Sequence, residues 1–309
     1  MEIVILIISM IVCLIGGVLK KYYTICFSEN TSSRQIYNMV TCLVAMLVLF
    51  FWGGVGSSLS WFTVILGIGF GVLTGFQQIS NLKAIECGPW SYTSVITTLS
   101  TLIPALSGGV IWHESLHWAQ IIGMVLMVVC FLFSIETQGE QKQTSIKWLI
   151  WCGIAFICTG FIGVMQKWHQ SSDYKTELNT FLVIAFAISA VYSIIALFIA
   201  KAQQTTKIKI LDNTETKDVK EEKGRWLYII PFVLMIVAGI CGAVNNKLNL
   251  YLSGVMDSAV FFPIVNGGGL ILTTITAVVL FKEKLSKKQW LGLIIGIISV
   301  IFLANPFGE

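Results

Sequence analysis

Apolar residues follow one another in long blocks along the chain, and short polar stretches separate the blocks. Each block holds roughly 20 residues, which as a helix rising about 1.5 Å per residue crosses a hydrocarbon core about 30 Å thick. The blocks predict membrane-spanning helices near 3–27, 36–56, 61–83, 90–112, 117–135, 147–167, 178–200, 227–249, 258–281 and 288–304. The pattern therefore predicts an all-α integral membrane protein with ten transmembrane helices.

Composition agrees with this pattern and excludes several other classes of protein. Of the 309 residues, 56% are hydrophobic and 12% are charged, whereas soluble domains are about 25% charged. The net charge of +4 is too small and too dispersed to indicate a nucleic-acid partner. No nucleotide-binding or hydrolase motif is present, and the eight cysteines lack the spacing typical of a metal site. We expect no enzyme activity, no metal and no cofactor.

The sequence repeats itself at a distance of 169 residues. The motif Glu-x-Leu-(x)3-Gln-(x)2-Gly occurs at 114–123 and again at 283–292, each time at a turn between two blocks. Because each copy would contain five helices, an odd number of membrane crossings, the second copy must enter the membrane in the opposite direction. The sequence predicts two inverted five-helix repeats, 1–137 and 146–305, and the second contains a polar, flexible loop at 201–225.

The repeated turn also contains a helix-start signal. His117 with Gln120 in the first copy, and Ser286 with Gln289 in the second, have the spacing of a capping box. We therefore expect these turn residues to stabilise the helix start rather than to bind a ligand.

These motifs resemble those of the drug/metabolite transporter superfamily, specifically its ten-helix EamA type. The resemblance covers nearly the whole chain and rests on the repeated turn and on a lysine late in the first helix of each half, at Lys20-Lys21 and Lys167. It implies a secondary transporter that moves a small metabolite or drug-like solute by alternating access. The proline-bearing loop usual after the first helix is replaced here by residues 28–34. The motifs imply a superfamily and not a substrate.

The distribution of basic residues predicts the orientation. Most Lys and Arg residues lie in the loops on the side opposite the N-terminus, including four in the short stretch 282–288. By the positive-inside rule, loop 201–225 is then cytoplasmic and both termini are external, in a multi-pass protein of the plasma membrane.

Polar side chains inside the predicted spans are candidates for a substrate site, because they are costly in a bilayer. Pro104 and Pro263 interrupt the fourth and ninth helices and free backbone groups beside these side chains. The predicted substrate-binding residues are Thr97, Thr98, Thr101 and Asn266, with Lys21 added because a lysine there can attract an anionic group. Backbone-bonded threonines and close helix packing are the structural alternative.

Two further polar clusters lie near the ends of the third and eighth helices and are predicted gates. Their members are Gln77, Gln78, Asn81 and Glu86 in the first half and Asn245, Asn246, Lys247 and Asp257 in the second. Ordinary placement of polar groups at the membrane interface is the alternative.

Alternatives to transport remain open at this stage. The chain could be a non-transporting membrane scaffold or receptor subunit, and only His113, Glu114 and His117 together resemble a catalytic cluster. Two glycine stripes, Gly67-Gly71-Gly75 and Gly292-Gly296, favour close helix packing, with homodimerisation through the last helix as the alternative.

Overall fold

A computed structural model describes residues 2–27, 31–56, 59–87, 96–134, 146–211, 226–281 and 287–303. Within these ranges the chain is helical and contains no strand, which confirms the predicted fold class at the level of secondary structure. The helices are α1 (Glu2–Phe27), α2 (Thr31–Gly53), α3 (Trp61–Cys87), α4 (Leu102–Ile111), α5 (Trp118–Ser134), α6 (Ile146–Gln170), α7 (Leu178–Leu211), α8 (Trp226–Val255), α9 (Ser258–Phe281) and α10 (Lys287–Leu303).

Six of the described helices are long and apolar enough to cross a membrane. These stretches are Glu2–Lys20, Ser32–Gly53, Trp61–Asn81, Ile146–Gln170, Lys175–Lys201 and Ile229–Val255. Shorter apolar helices occupy Ile96–Ile111, Trp118–Cys130, Ser258–Leu272 and Trp290–Leu303. Large apolar side chains such as Phe51, Trp61 and Val110 are mostly exposed on the outside of the molecule. This apolar exterior is compatible with a membrane protein.

Local sequence explains where several helices begin and end. After α2, Gly54 has φ +66° and its N–H bonds to the carbonyl of Phe50, a helix end that glycine adopts without strain. The side chain of Gln120 reaches back to the backbone N–H of His117 at 3.0 Å, just before α5. The predicted capping interaction therefore forms in the first copy of the turn, whereas Ser286 and the side chain of Gln289 lie outside the described residues.

The structure differs from the predicted spans in two places. The fourth span is not continuous, because a short helical segment at 96–99 is separated from α4 by a turn at Ser100 and Thr101. Helix α7 continues to Leu211 although a flexible loop was predicted from Lys201 onward. The residues at 201–211 include Lys, Ala and Gln and no Gly or Pro, so they can extend a helix already formed.

The helices pack in pairs that join distant parts of the sequence. The most extensive pairs are α5 with α10, α2 with α7, α3 with α6 and α1 with α8, followed by α3 with α7, α2 with α8, and α4 with α9. The glycine stripe of α3 lies against α7, where a Cβ on Gly71 would stand 2.7 Å from the carbonyl oxygen of Ala185. In the same way, a Cβ on Gly292 of α10 would stand 2.8 Å from the Cβ of Phe133 on α5. Both stripes therefore serve packing within the chain.

Candidate functional site

A polar cavity of about 170 Å³ lies between α4, α6, α8 and α9. Its polar lining residues are Ser100, Thr101, Thr159, Gln166, Asn249 and Asn266, and its apolar ones are Pro104, Ile162, Gly163, Phe261, Phe262 and Val265. The polar residues present three carboxamides and three hydroxyls, and no charged residue belongs to this lining. Such a wall offers both donors and acceptors to an uncharged solute.

The break before α4 follows from the position of Pro104. Proline has no N–H, so the carbonyl of Ser100 loses its usual helical partner four residues later. The N–H of Ile103 bonds to that carbonyl instead, at 3.0 Å, and the N–H of Thr101 bonds to Thr98 at 3.2 Å. The chain thus makes one tighter turn at the cavity wall.

Thr101 stands at this turn with an unpaired hydroxyl. The residue is 5% exposed, and its Oγ1 has no hydrogen-bond partner among the described residues. It occupies the position preceding α4, yet its side chain makes no capping bond. A buried hydroxyl without a partner is uncommon and costs about 1 to 3 kcal/mol. Its place in the cavity wall makes it available to a bound molecule.

Asn266 lies across the cavity on α9. Its Nδ2 donates to the carbonyl of Phe262 at 2.9 Å, next to Pro263. The structure therefore brings two predicted residues, Thr101 and Asn266, to one cavity. It does not bring Thr97 and Thr98 into this lining, since both lie on the helical segment before the break.

Several residues of the cavity wall were not predicted from the sequence: Ser100, Thr159, Gln166 and Asn249. Thr159 and Gln166 lie seven residues apart on α6, and Ile162 and Gly163 between them also line the cavity. This i, i+3, i+4, i+7 spacing marks one face of a helix and could have revealed the pair.

A buried serine links α1 to the cavity wall. The hydroxyl of Ser9 lies 3.0 Å from Oδ1 of Asn245 and 2.6 Å from Oδ1 of Asn249. Asn245 was a predicted gate residue, whereas Asn249 lines the cavity one turn further along α8. The network therefore holds α1 against the part of α8 that faces the cavity.

The other predicted gate residues lie in different surroundings. Gln77, Gln78 and Asn81 are partly buried on α3, and Asp257 is exposed between α8 and α9. Asn246 bonds within its own helix to Gly242 at 2.9 Å, and Lys247 Nζ stands 4.0 Å from the centre of the Trp52 ring. The side chains of Lys21 and Glu86 lie outside the described residues.

Glu114 and Lys167 form a buried ion pair close to the cavity. Oε1 of Glu114 lies 2.6 Å from Nζ of Lys167, and the two side chains are 10% and 8% exposed. Lys167 also donates to the carbonyl of Met256 at 3.0 Å, and Glu114 Oε2 accepts the N–H of Ser258 at 2.7 Å. Ser258 opens α9, where a carboxylate is favoured by the helix dipole. The pair therefore spans the joint between α8 and α9.

A second polar cluster lies at the same end of the molecule. Glu177 accepts the hydroxyl of Ser60 at 2.7 Å, just before α3. Nearby, His169 is fully buried, stacks on Phe181 with ring centres 4.5 Å apart, and lies 3.4 Å from the hydroxyl of Thr63. These contacts connect the start of α3 to the α6–α7 connection, away from the cavity lining.

Comparison with known proteins supports the fold. No family model matches the chain. An uncharacterized protein of Haemophilus influenzae is similar to it, with 25% identity over 239 residues that make up 75% of this chain and 72% of the relative. A protein of known crystal structure is 12% identical and superimposes with a TM-score of 0.70, over 98% of this chain and 95% of its own. The helical arrangement is thus one found in a crystal structure across nearly the whole chain.

Proposed function

We propose that the chain is a membrane-embedded secondary transporter that carries a small, uncharged polar solute through the cavity between α4, α6, α8 and α9. The main support is the cavity itself, with the buried, unpaired hydroxyl of Thr101 on one wall and Asn266 on another. Broken backbone at membrane depth is tolerated where it lines a cavity, and transporters commonly bind solute there. The resemblance to EamA-type transporters points to the same function.

The helix pairing supports two inverted repeats, 1–137 and 146–305. Each helix of α1–α5 has an equivalent five places later in α6–α10, so that α1 corresponds to α6 and α3 to α8. When every helix is replaced by its equivalent, the contact α3–α6 becomes α8–α1, and α3–α7 becomes α8–α2. Likewise α1–α9 becomes α6–α4, while α2–α7, α4–α9 and α5–α10 map onto themselves. All of these pairs are in contact. A pseudo-two-fold repeat produces such a pattern, and it sets α4 against α9 where the solute would bind.

The cavity wall favours an uncharged solute. Gln166, Asn249 and Asn266 can each donate and accept hydrogen bonds, as amide, nucleobase or polyol groups require. The nearby lysine, Lys167, is already neutralised by Glu114. An anionic solute would therefore meet no free positive charge in this wall, and its desolvation would remain uncompensated.

In this proposal the plasma membrane covers the apolar exterior, with ten helices crossing it and both termini outside. The shorter apolar helices α4, α5, α9 and α10 then span together with the six longer ones, and the region 201–225 faces the cytoplasm. The excess of Lys and Arg on the side opposite the N-terminus supports this orientation.

Ligand-dependent stability tests the proposal directly. Purified protein is heated in the presence of amino acids, nucleobases, vitamins and sugars, and the melting temperature is recorded for each compound. A ligand at about 100 times its Kd stabilises the folded state by about 2.7 kcal/mol, enough to raise the melting temperature measurably. A compound that binds is then tested for uptake into proteoliposomes.

Thr101→Val is the decisive variant because it removes a hydroxyl that has no hydrogen-bond partner in the described part of the chain. We expect the variant without ligand to be at least as stable as the wild type, and its affinity for the ligand to fall about tenfold. Thr74→Val is the matched control, since the Thr74 hydroxyl bonds to Phe70 and lies outside the cavity lining.

Asn266→Ala should abolish uptake without lowering the amount of protein in the membrane. If no compound binds and none is transported, a scaffold or receptor subunit becomes the better interpretation.

A further inference from the structure

We infer that the Glu114–Lys167 ion pair is a gate that closes the cavity at the end of the molecule where the N-terminus lies. This inference rests on the proposed transport function and adds two positioning residues to it. Glu114 belongs to the first repeat and Lys167 to the second, so the pair joins the two halves that alternating access must separate.

The position of the pair relative to the cavity follows from three helices independently. On α4, Pro104 lines the cavity and Gly108, four residues on, touches the Glu114 carboxylate. On α4 these four residues make about one helical turn, or about 6 Å of helix length. On α6, the cavity lining ends at Gln166, and Lys167 is the next residue in the same direction.

The third helix runs in the opposite chain direction. On α9, Phe261 is the first residue of the cavity lining, and Ser258, which donates to Glu114, lies three residues before it. The ion pair therefore forms a layer directly beyond the cavity wall, within one helical turn of the lining residues on α4, α6 and α9. Glu114 itself is in the loop that follows α4, so this layer lies between the cavity and that end of the protein.

Three helices are in close contact on the cavity side of the ion pair. A Cβ on Gly163 would lie 2.7 Å from Pro104 and 3.1 Å from Phe262, so α4, α6 and α9 meet there. At the ion pair itself, Lys167 donates to a carbonyl at the end of α8, and Glu114 accepts a hydrogen bond from the first N–H of α9. Loss of these two hydrogen bonds together with the ion pair would release the α8–α9 joint from α6 and from the α4–α5 turn.

Accessibility of a cavity cysteine tests the gate without knowledge of the solute. All eight native cysteines are replaced, and Thr159→Cys provides a single thiol on the cavity wall. A membrane-impermeant maleimide is applied from the side on which Asp173→Cys, in the exposed α6–α7 connection, reacts. Intact cells serve if that side is outside, and inverted vesicles serve if it is not, so the assay does not depend on the predicted orientation.

The single variants Glu114→Gln and Lys167→Met should increase the labelling rate at position 159 by about tenfold or more. Each leaves one buried ion without its partner, and opening of the gate lets water reach that ion. The double variant contains no buried charge, so its labelling rate should return towards that of the parent protein. Glu177→Gln is the matched control, because it neutralises a carboxylate at the same end whose side-chain hydrogen bond goes to Ser60, just before α3.

The results separate failure of the gate from failure of the transport proposal. If the single variants lower the melting temperature but label like the parent, the pair is merely structural and the gate is refuted. An increase equally large in Glu177→Gln would also refute it. If labelling rises as expected but no solute ever binds or is transported, the closing contact stands and the proposed function is wrong.

Discussion

Gly108→Ala is the smallest change that acts on the ion pair without removing either charge. A Cβ at position 108 would overlap Oε2 of Glu114 and would stand 2.7 Å from Cβ of Ser258, whereas ordinary contact begins at 3.4 Å. The same Oε2 accepts the N–H of Ser258. The added methyl group must therefore push the carboxylate away from the start of α9.

The size of the effect follows from two unfavourable contributions and one favourable one. Displacement of Oε2 weakens a hydrogen bond to a charged acceptor, worth about 1.5 to 3 kcal/mol, and overpacking adds about 1 to 3 kcal/mol. Alanine in place of glycine within a helix stabilises the folded protein by about 1 kcal/mol. We expect a net cost of about 2 to 4 kcal/mol for the closed form, since the two unfavourable terms share one displacement and do not add fully.

Gly109→Ala is the control because it makes the same chemical change at the next position of α4. A Cβ there would lie 3.3 Å from the end of the Leu116 side chain, a flexible group that can move aside, and 3.7 Å from the backbone oxygen of Glu114, which is an ordinary contact. Gly108→Ala should melt several degrees below Gly109→Ala and should label faster at Thr159→Cys. If the two variants behave alike in both assays, the Glu114 carboxylate does not hold the closed form.

Two further predictions concern the fold and its orientation. Gly71→Ala should lower the melting temperature because its Cβ would stand 2.7 Å from the backbone oxygen of Ala185, with a cost of about 1 to 3 kcal/mol, whereas Gly153→Ala, with nothing within 4 Å, should not. In intact cells an impermeant thiol reagent should label Asp173→Cys and miss Asn213→Cys, and the reverse result would overturn the proposed orientation.

The helix positions could be read from the sequence because apolar block length is a local property. The predicted spans coincide with the described helices to within a few residues in most cases. The break at Ser100 and Thr101 was only partly foreseen, since Pro104 indicates a bend but not where the preceding turn tightens. The extension of α7 to Leu211 was not predicted, because the polar residues after Lys201 favoured a loop. Residues 201–211 nevertheless contain no Gly or Pro that would end a helix.

The site was less predictable because it depends on which helices meet. Thr101 and Asn266 could be found as polar residues inside apolar blocks, and the cavity contains both. Thr97 was chosen by its place in the repeat, and the break before α4 separates it from the cavity lining. Glu114 was interpreted as a turn residue, because its partner Lys167 lies far away in the chain and only the packing of α4 and α6 brings them together.

A buried ion pair suits a gate better than an apolar contact of the same size. Burial of two charges costs nearly as much as their attraction returns, so an intact pair adds little net stability to the closed form. When the helices separate, water solvates both ions and recovers that cost. Closed and open forms can then be close in free energy, as a carrier that visits both requires.

An apolar layer would behave differently, because its separation exposes surface that water does not favour. Replacement of buried ion pairs by apolar groups can stabilise a packed form by about 1 to 4 kcal/mol, or about 5- to 900-fold in the equilibrium. A double variant with two apolar side chains, Glu114→Leu with Lys167→Met, should therefore close the cavity and still slow transport. Fast transport by that variant would show that the charges of the pair are not needed for opening.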